Sequence, residues 1–476
     1  MFVRPLMRTA IVAAAVASSI VLFSPDASAG SGQLTGITTA NVESAKGDEL
    51  LLSVTASALQ TSWATAGSES AVVSVSVDGA FKTDIVLYRG DQEFTYNVFL
   101  GQLGGGGSHT VALAYNETKS TAGAAGANVV ALIPQVVSAA DPSHLVVKHA
   151  PILYGRSLFW IFENNRSDTP ELMYHTLAKD GAGNTTIEYT VVYSNEDGGS
   201  GANDNIGPLM ARWGRSTDIE WAYRVTIDKR GRVKSQQYHG DNHATINFTG
   251  LKEANHPLLY IKTIYNSLGQ VTNPASGYRF SNSPLDTIAT GRAREQAMDN
   301  RPESYWVMAV EAIREGAIKD PEGDPATAAV SDLRNYLYVE LSKRTSYATT
   351  PASGSWVGVA IAVQLKGDSN WYTSHHGDAS WSIQRDGPAS TTAELLGTTR
   401  LNAGGTFTAN MVQAIKVFPV RYGTPPSYTV TFTAINRAFF LDAGFQPQGS
   451  FVTVQTGITL TGANEADGVV VWGTEA

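Results

Sequence analysis

The sequence contains no cysteine among its 476 residues. This absence excludes disulfide bonds, thiolate metal ligands and cysteine nucleophiles. Basic residues are also few, since 34 lysines and arginines stand against 43 acidic residues and the formal net charge is −9. Recognition of nucleic-acid phosphates needs a clustered surplus of lysine and arginine, so this balance predicts that the chain has no nucleic-acid partner.

Long hydrophobic runs are rare, and the one near the start is short. Arg4 and Arg8 precede an apolar stretch from Thr9 to Phe23, and the small residues Ala27-Ser28-Ala29 follow it. This pattern predicts a signal peptide over residues 1–29, cleaved after Ala29, with an uncleaved anchor as the alternative. No later segment reaches about 18 apolar residues, so no transmembrane span is predicted. The expected location is secreted or extracellular, and export without cysteine favours a bacterial origin.

The familiar catalytic strings are missing as well. The sequence has no His-Glu-x-x-His, no G-x-S-x-G, no Walker loop and no strand-linked G-x-G-x-x-G. Their absence disfavours zincin metalloproteases, α/β-hydrolases and nucleotide enzymes.

Alternating β-branched segments separated by glycine turns dominate what is present. They predict a mainly β protein made of antiparallel β-sandwich domains with one short helical insert. The predicted organisation is a small immunoglobulin-like β-sandwich accessory domain over 30–140, a β-sandwich with the candidate site over 141–300, and a helical insert followed by further strands over 301–476. The last two regions could form one large domain.

Four local predictions concern single helices, strands or turns. Pro302 and the apolar spacing of Trp306, Val310, Ile313 and Ala317 predict a helix. Residues 145–147 are expected to form a strand, and residues 228–231 a hairpin turn. Residues 335–341 alternate like a strand but could also continue a second helix.

Two carboxylates, Asp218 and Glu220, lie at positions i and i+2 where a strand is predicted to begin. Alternate strand residues share one face, so the two acids should repel each other unless a cation or an arginine lies between them. With His243 from a nearby glycine turn, they are the predicted ligands of a divalent cation, Ca²⁺ or Mg²⁺. The alternative is structural: Asp218 caps a turn, Glu220 pairs with Arg215 or Arg224, and the histidine is solvated.

Candidate catalytic groups lie close by in the sequence. In a polysaccharide lyase, Tyr238 or His239 would act as base and acid, while Arg215 or the cation neutralises a uronate. In a hydrolase, Asp218 and Glu220 are too close on one strand to straddle a glycosidic bond, so a further acid is needed, with Asp241 as a candidate.

A succession of short motifs in this region resembles the necrosis- and ethylene-inducing-peptide-like family and a related vacuolar-sorting-associated β-sandwich family. It comprises Asp218-x-Glu220, Tyr238-His239-Gly240 and His256-Pro257, within about residues 185–265. The first family is a secreted β-sandwich, and the resemblance implies that Asp218 and Glu220 bind a divalent cation near a sugar-headgroup site. Two histidines and the tryptophan of the family's signature heptapeptide are replaced here, so its cytolytic activity does not follow.

A second polar and aromatic cluster lies further along the chain. Exposed aromatic rings can stack on sugars while polar groups read the hydroxyls, so this cluster predicts a carbohydrate site; the alternative is a hairpin whose aromatic rings belong to the core. The predicted substrate-binding residues are Trp371, Tyr372, His375, His376, Asp378 and Trp381. Asp378 is also a candidate acid for the hydrolase.

Together these features predict a secreted carbohydrate-active protein. The first hypothesis is a cation-assisted lyase or hydrolase that acts on an extracellular polysaccharide. The alternative is a secreted protein without catalytic activity, similar to a lectin or a cytolysin, that binds glycans or glycolipid headgroups through the cation. A structural surface protein made of stacked β-domains is a third possibility, and only composition supports it.

Overall fold

The computed structural model describes residues 33–156, 163–196, 206–273, 277–318, 330–395 and 406–474. Strands far outnumber helices in this part of the chain, and the sheets are predominantly antiparallel, which confirms the predicted mainly β class. The predicted signal peptide lies outside the described residues. So do residues 197–205, which are most of a stretch rich in Asn, Asp and Gly that its composition predicts to be an exposed loop.

The first eight strands form two four-stranded sheets with a hydrophobic core between them. In β4 (Ala71–Val77), Val73, Val75 and Val77 point into this core while Ser74 and Ser76 are only half-buried, the alternation expected of a sheet with one core face. The sheet orders are β1-β8-β3-β6 and β2-β7-β4-β5. The remaining strands are β1 (Gln33–Gly36), β2 (Thr39–Ser44), β3 (Glu49–Leu59), β5 (Ala80–Leu87), β6 (Phe94–Gln102), β7 (Gly107–Tyr115) and β8 (Gly126–Val137).

The middle of the chain forms a six-stranded sheet and a smaller five-stranded sheet. The larger one has the order β14-β13-β12-β11-β10-β19, and in the smaller one β15-β16-β9-β18 is extended by β17 beside β16. The elements are α1 (His144–Lys148), β9 (Ile152–Tyr154), β10 (Pro170–Lys179), β11 (Thr185–Tyr193), α2 (Ile206–Trp213), β12 (Asp218–Ile227), β13 (Val233–His239), β14 (Thr245–Asn247), β15 (Lys252–Glu253), β16 (His256–Ile261), β17 (Leu268–Gln270), β18 (Arg279–Phe280) and β19 (Asp286–Thr287).

The C-terminal part is a second β-sandwich preceded by two helices. Its sheets have the orders β23-β20-β25-β26 and β22-β21-β24-β27 around one apolar core. The elements are α3 (Gln296–Asn300), α4 (Glu303–Arg314), β20 (Tyr336–Tyr347), β21 (Trp356–Leu365), β22 (Trp371–Thr373), β23 (Gly387–Glu394), β24 (Val412–Tyr422), β25 (Tyr428–Phe439), β26 (Val454–Leu460) and β27 (Val469–Gly473). None of the helices in the described ranges has the length and apolar character required to cross a membrane.

Most local predictions agree with these elements. Helix α4 begins directly after Pro302, the predicted hairpin turn closes through Gly231 N–H donating to the Asp228 carbonyl, and residues 336–347 form strand β20 rather than a helix. The strand expected at 145–147 is wrong, because these residues belong to helix α1. Val146 and Val147 are buried there in the core shared by the first two groups of sheets, so tertiary packing overrides their strand propensity.

Helix α4 is buried on more sides than its predicted apolar face suggests. Val307 and Val310 pack into the core of the first sandwich, whereas Met308 and Ala312 pack into a separate core against the six-stranded sheet. Ile313, which the spacing placed on the buried face, is 44% exposed. The helix therefore lies between two cores and connects them.

The six-stranded sheet is covered on both faces. Tyr189 and Val191 of β11 belong to the core shared with the five-stranded sheet and the first sandwich, while Val192 belongs to the core shared with α4 and the C-terminal strands. The described residues all fall within one compact unit, Gly32–Ala476. The division at about residues 140 and 300 stays a prediction.

Buried ion pairs join these parts across the cores. His256 of β16 contacts the fully buried Glu49 of β3, with Nε2 and Oε2 3.1 Å apart. Glu340 of β20 is also fully buried and accepts two hydrogen bonds of 2.8 Å from Arg292. Arg437 contacts Asp299 beside helix α4 and lies 3.5 Å from Glu340.

Arg437→Gln is expected to lower the free energy of unfolding by about 3 kcal/mol, because it removes the guanidinium from two buried carboxylates. The matched variant Arg421→Gln removes a largely exposed pair with Glu465, and it should cost less than about 1 kcal/mol. Chemical denaturation of both variants and the parent chain measures the difference. Equal losses in the two variants would contradict the stabilising role of the buried pairs.

Candidate metal centre

The candidate site lies at one end of the six-stranded sheet. Strands β12 and β13 form an antiparallel hairpin whose turn, at Asp228–Gly231, lies at the opposite end. The start of β12 and the end of β13 are therefore brought together, with Glu220 on the first strand and His239 on the second. This proximity follows directly from the hairpin connection.

Glu220, His239 and His243 form a group with metal-ligating geometry. His239 Nε2 lies 3.5 Å from Glu220 Oε2 and 3.2 Å from His243 Nδ1, and His243 Nδ1 lies 3.9 Å from Glu220 Oε1. Donors held about 2.0–2.2 Å from one tetrahedral ion are about 3.4 Å apart, which fits these distances. Of the described residues, no other group of His, Asp or Glu meets the same criterion.

The group is buried on one side and open on the other. The His239 side chain is almost fully buried, that of Glu220 is 16% exposed, and that of His243 is 81% exposed. Burial is the main cause that lowers the pKa of His239, and it outweighs the opposing effect of Glu220. The lowered pKa favours the neutral imidazole, which is the form that ligates metals.

A strained turn brings His243 to the group. Asn242 and His243 have φ values of 55° and 58°, the left-handed region that non-glycine residues rarely occupy. Gly240 N–H donates to the Ala244 carbonyl at 2.8 Å and closes the turn. Backbone strain of this kind occurs often at functional sites, and here it places the imidazole beside Glu220 and His239.

Asp218 lies on the same face as Glu220 but has its own partners. Ile219 between them packs into the opposite core, as strand alternation predicts. The Asp218 carboxylate is buried and accepts a hydrogen bond of 3.1 Å from Asn266 Nδ2, which also donates to Asp168 at 3.0 Å. Burial, and next to it the charge of Glu220, raises the pKa of Asp218 well above its ordinary value.

Glu196 is a further acidic residue near the group, in the stretch whose composition predicts an exposed loop. Its backbone N–H donates to the Ser216 carbonyl at 3.0 Å, which holds it beside the start of β12. Burial raises its pKa, Arg215 lowers it, and Glu220 raises it further. Its position next to Asn195, among turn-forming residues, gave no sequence signal for this burial.

The other predicted catalytic residues lie around the group without joining it. Arg215 is buried and bound to Glu295 Oε1 at 3.1 Å and to the Thr217 carbonyl, so its guanidinium has no free access to a substrate. Tyr238 is buried and packs edge-on against Phe248. Asp241 forms an ion pair with Lys262.

The second predicted cluster lies on the C-terminal sandwich and has separate partners. Asp378 accepts a hydrogen bond of 2.8 Å from Ser380 N–H and caps a short 3₁₀ turn. His375 packs edge-on against Phe418, and the Tyr372 hydroxyl donates to Asp368 at 2.5 Å. These side chains therefore have partners within the C-terminal sandwich.

The remaining members of this cluster also pack within the fold. The Lys416 ammonium lies 4.2 Å from the ring centre of Trp371. His376 lies 3.5 Å from the buried Glu394 and packs against Trp381, whose ring lies against Gly207 of helix α2. The string His-Gly-Asp occurs at both 239–241 and 376–378, and each copy has its own neighbours: Asp241 pairs with Lys262, and Asp378 accepts from Ser380.

Asn266→Ala is expected to lower the free energy of unfolding by about 3 kcal/mol. Asp168 and Asp218 lose a buried hydrogen-bond donor, and alanine is less stable than asparagine in the left-handed backbone conformation at this position. Asn242→Ala is the matched control: Asn242 has a similar φ but is exposed, so its loss should be about 1 kcal/mol. Denaturant titrations of the two variants give the comparison. The idea that Asn266 stabilises the two acids would be wrong if both variants lost the same amount.

No protein-family model matches this chain, and a search of curated proteins also finds no match. The function therefore has to be inferred from the side chains and their arrangement.

Proposed function

We propose that this chain is a secreted, carbohydrate-active protein whose site holds a divalent metal ion through Glu220, His239 and His243. The observation that carries the proposal is the close approach of their three donor atoms, which all lie within 4.8 Å of one another. Three protein ligands beside an exposed opening leave a coordination position for water or substrate, as in catalytic rather than structural sites.

The donor set favours a transition metal over the Ca²⁺ or Mg²⁺ that the sequence predicts. Two imidazole nitrogens and one carboxylate suit Zn²⁺ and its neighbours, whereas Ca²⁺ and Mg²⁺ prefer oxygen ligands only. Asp218, the second predicted acidic ligand, is directed to Asn266 instead. Burial and the charge of Glu220 raise the pKa of Asp218, so its carboxyl group is not counted as a ligand here.

A hydrolytic reaction is the chemistry that this arrangement supports best. A divalent ion bound there would polarise a water molecule or a substrate oxygen. Glu196 holds a proton more firmly than an ordinary glutamate, because burial raises its pKa, and it lies within electrostatic reach of Glu220 and His243. It is therefore the candidate proton donor to a leaving group. The lyase alternative is weaker, because Arg215 is occupied by Glu295.

Carbohydrate as the substrate class rests on the aromatic residues, and secretion rests on the N-terminal sequence pattern. The ring centroids of Trp221 and His239 are 5.7 Å apart. The guanidinium carbon of Arg224 lies 4.5 Å from the centroid of the Trp221 ring. An aromatic ring beside polar side chains is a common feature of sugar sites. The second candidate function is cation-dependent glycan binding without catalysis, which is favoured by the solvent-exposed His243 and by the family resemblance.

Zn²⁺ is expected to raise the melting temperature of the chelator-treated chain, because a ligand that binds only the folded state stabilises it by about 2.7 kcal/mol at 100 times its Kd. His239→Gln should abolish this shift. His175→Gln should retain it, since His175 is buried in the same sheet but contacts the Pro284 carbonyl. Scanning calorimetry with Zn²⁺, Mn²⁺, Ca²⁺ and Mg²⁺ tests the choice of metal. An unchanged melting temperature with all four ions would refute the site.

Incubation of the metal-loaded chain with a polysaccharide panel should release new reducing ends, and Glu220→Gln should reduce their rate of formation about 100-fold or more. Glu188→Gln on the neighbouring strand β11 is the control, because Glu188 pairs with the half-exposed Arg224. Unsaturated-uronate absorbance instead of simple reducing ends would indicate a lyase. Metal-dependent binding to a glycan array without cleavage would select the second candidate, and neither cleavage nor binding would overturn both.

A further inference from the structure

A cleft lies at the edge where the first sandwich meets the six-stranded sheet. It is open to solvent, has a cavity volume of about 50 Å³, and is formed by strands β5 and β6, the start of β10, the segment around β18 and β19, and the start of helix α4. None of the residues that line it belongs to the group formed by Glu220, His239 and His243.

A β-bulge directs Glu171 into this cleft. In the pairing of β10 with β11, Pro170 lies opposite Tyr193 and Leu172 lies opposite Val192, so Glu171 is an extra residue in its strand. Asn282 Nδ2 donates to both the Pro170 and the Glu171 carbonyls, at 3.0 and 3.1 Å. A bulge of this kind turns a side chain away from the regular alternation of the sheet.

The Glu171 carboxyl group is buried without a hydrogen-bond partner. The residue is only 9% exposed, and neither of its carboxyl oxygens accepts or donates a hydrogen bond within the described ranges. Burial raises its pKa well above the ordinary value, the charges of Glu311 and Glu303 add to this effect, and Arg89 opposes it. An unpartnered buried carboxyl group lowers stability, and such groups are typical of sites that bind a ligand.

Arg89 does not neutralise this carboxyl group directly. Its guanidinium lies over the Trp306 ring at 4.2 Å and donates to Gln92 at 2.8 Å. The other arginine at the cleft, Arg301, is bound by Asp286 through hydrogen bonds of 2.9 and 3.0 Å. In the part of the chain that the structure describes, Glu171 and the half-buried Glu303 thus have no cation bonded to them.

Three aromatic residues, Tyr88, Phe94 and Tyr96, also line the cleft. Tyr88, Phe94 and Tyr96 pack against one another with ring centroids 5.0–5.8 Å apart, mostly edge to face. Several rings placed near unneutralised carboxyl groups attract a positive charge, because the ring faces carry negative potential. Neutral ligands would gain nothing from the carboxyl charges.

From this combination we propose that the cleft binds an organic ammonium ion, as a primary amine or a quaternary ammonium group on a small molecule. The cation lies against the rings of Tyr88, Phe94 and Tyr96, and the Glu171 carboxylate faces it. This site is independent of the proposed metal centre. Because burial raises the pKa of Glu171 in the empty cleft and a bound cation lowers it, binding is expected to release a proton to solvent.

The test uses two matched pairs of probes with the full chain. Choline and its neutral isostere 3,3-dimethylbutan-1-ol, and n-butylammonium and butan-1-ol, are titrated by isothermal calorimetry. The cations should bind at least about 10-fold more tightly than the alcohols, a difference of about 1.4 kcal/mol. Equal affinity within both pairs, or binding of the alcohols alone, would overturn the proposal in favour of a neutral ligand or no ligand.

Glu171→Gln should weaken choline binding about 10-fold or more, whereas Glu465→Gln on the C-terminal sandwich should leave it unchanged. Titrations in two buffers of different ionisation enthalpy should reveal proton release for the parent chain and none for Glu171→Gln. Choline binding with unchanged affinity in Glu171→Gln, or without proton release in the parent, would place the cation elsewhere and overturn the assignment.

The fold of the variant is checked without any ligand. Between the ordinary pKa of glutamate and the raised pKa of Glu171, the folded chain holds a proton on Glu171 that the unfolded chain releases. The stability associated with the neutral Glu171 is therefore complete below about pH 4 and is lost as the pH rises through the raised pKa. Glu171→Gln should remove that loss and melt at or above the temperature of the parent at neutral pH. Lower stability at neutral pH would contradict the description of Glu171 as an uncompensated acid.

Discussion

Coverage of the six-stranded sheet on both faces is the constraint on which the other features depend. One face packs against the five-stranded sheet and the first sandwich, and the other packs against helix α4 and the C-terminal strands. Polar side chains on such a sheet can reach solvent only at strand ends or at irregularities. The group formed by Glu220, His239 and His243 lies at strand ends, and Glu171 lies at the bulge of β10.

Burial gives the acidic residues at these positions different chemical states. Asp168 and Asp218 share Asn266 as a donor, and Arg156 lies 2.8 Å from Asp168. Among the described residues, Glu171 has neither a hydrogen-bond donor nor a bonded cation. Asn266 offsets part of the cost of burying Asp218, whose pKa is still raised, and the corresponding cost at Glu171 has no such compensation.

Much of the fold could be predicted because strand alternation and turn chemistry are local properties. The valines of β4, the hairpin at 228–231 and the proline before α4 all gave correct predictions. The errors came from residues whose environment is set by distant parts of the chain. Residues 145–147 form a helix because a shared core covers them, and Ile313 is exposed because α4 lies between two cores rather than against one.

For the candidate site, the sequence by itself determined that Asp218 and Glu220 share a face, because side chains of a strand alternate with a period of two. It also indicated the His-Gly turn that supplies His239. Only the tertiary structure decided that Glu220 meets the two histidines while Asp218 turns to Asn266, since these contacts depend on a left-handed turn and on a loop 48 residues away. The position of Glu171 had no local signal, because a bulge is defined by how two strands pair rather than by either strand alone.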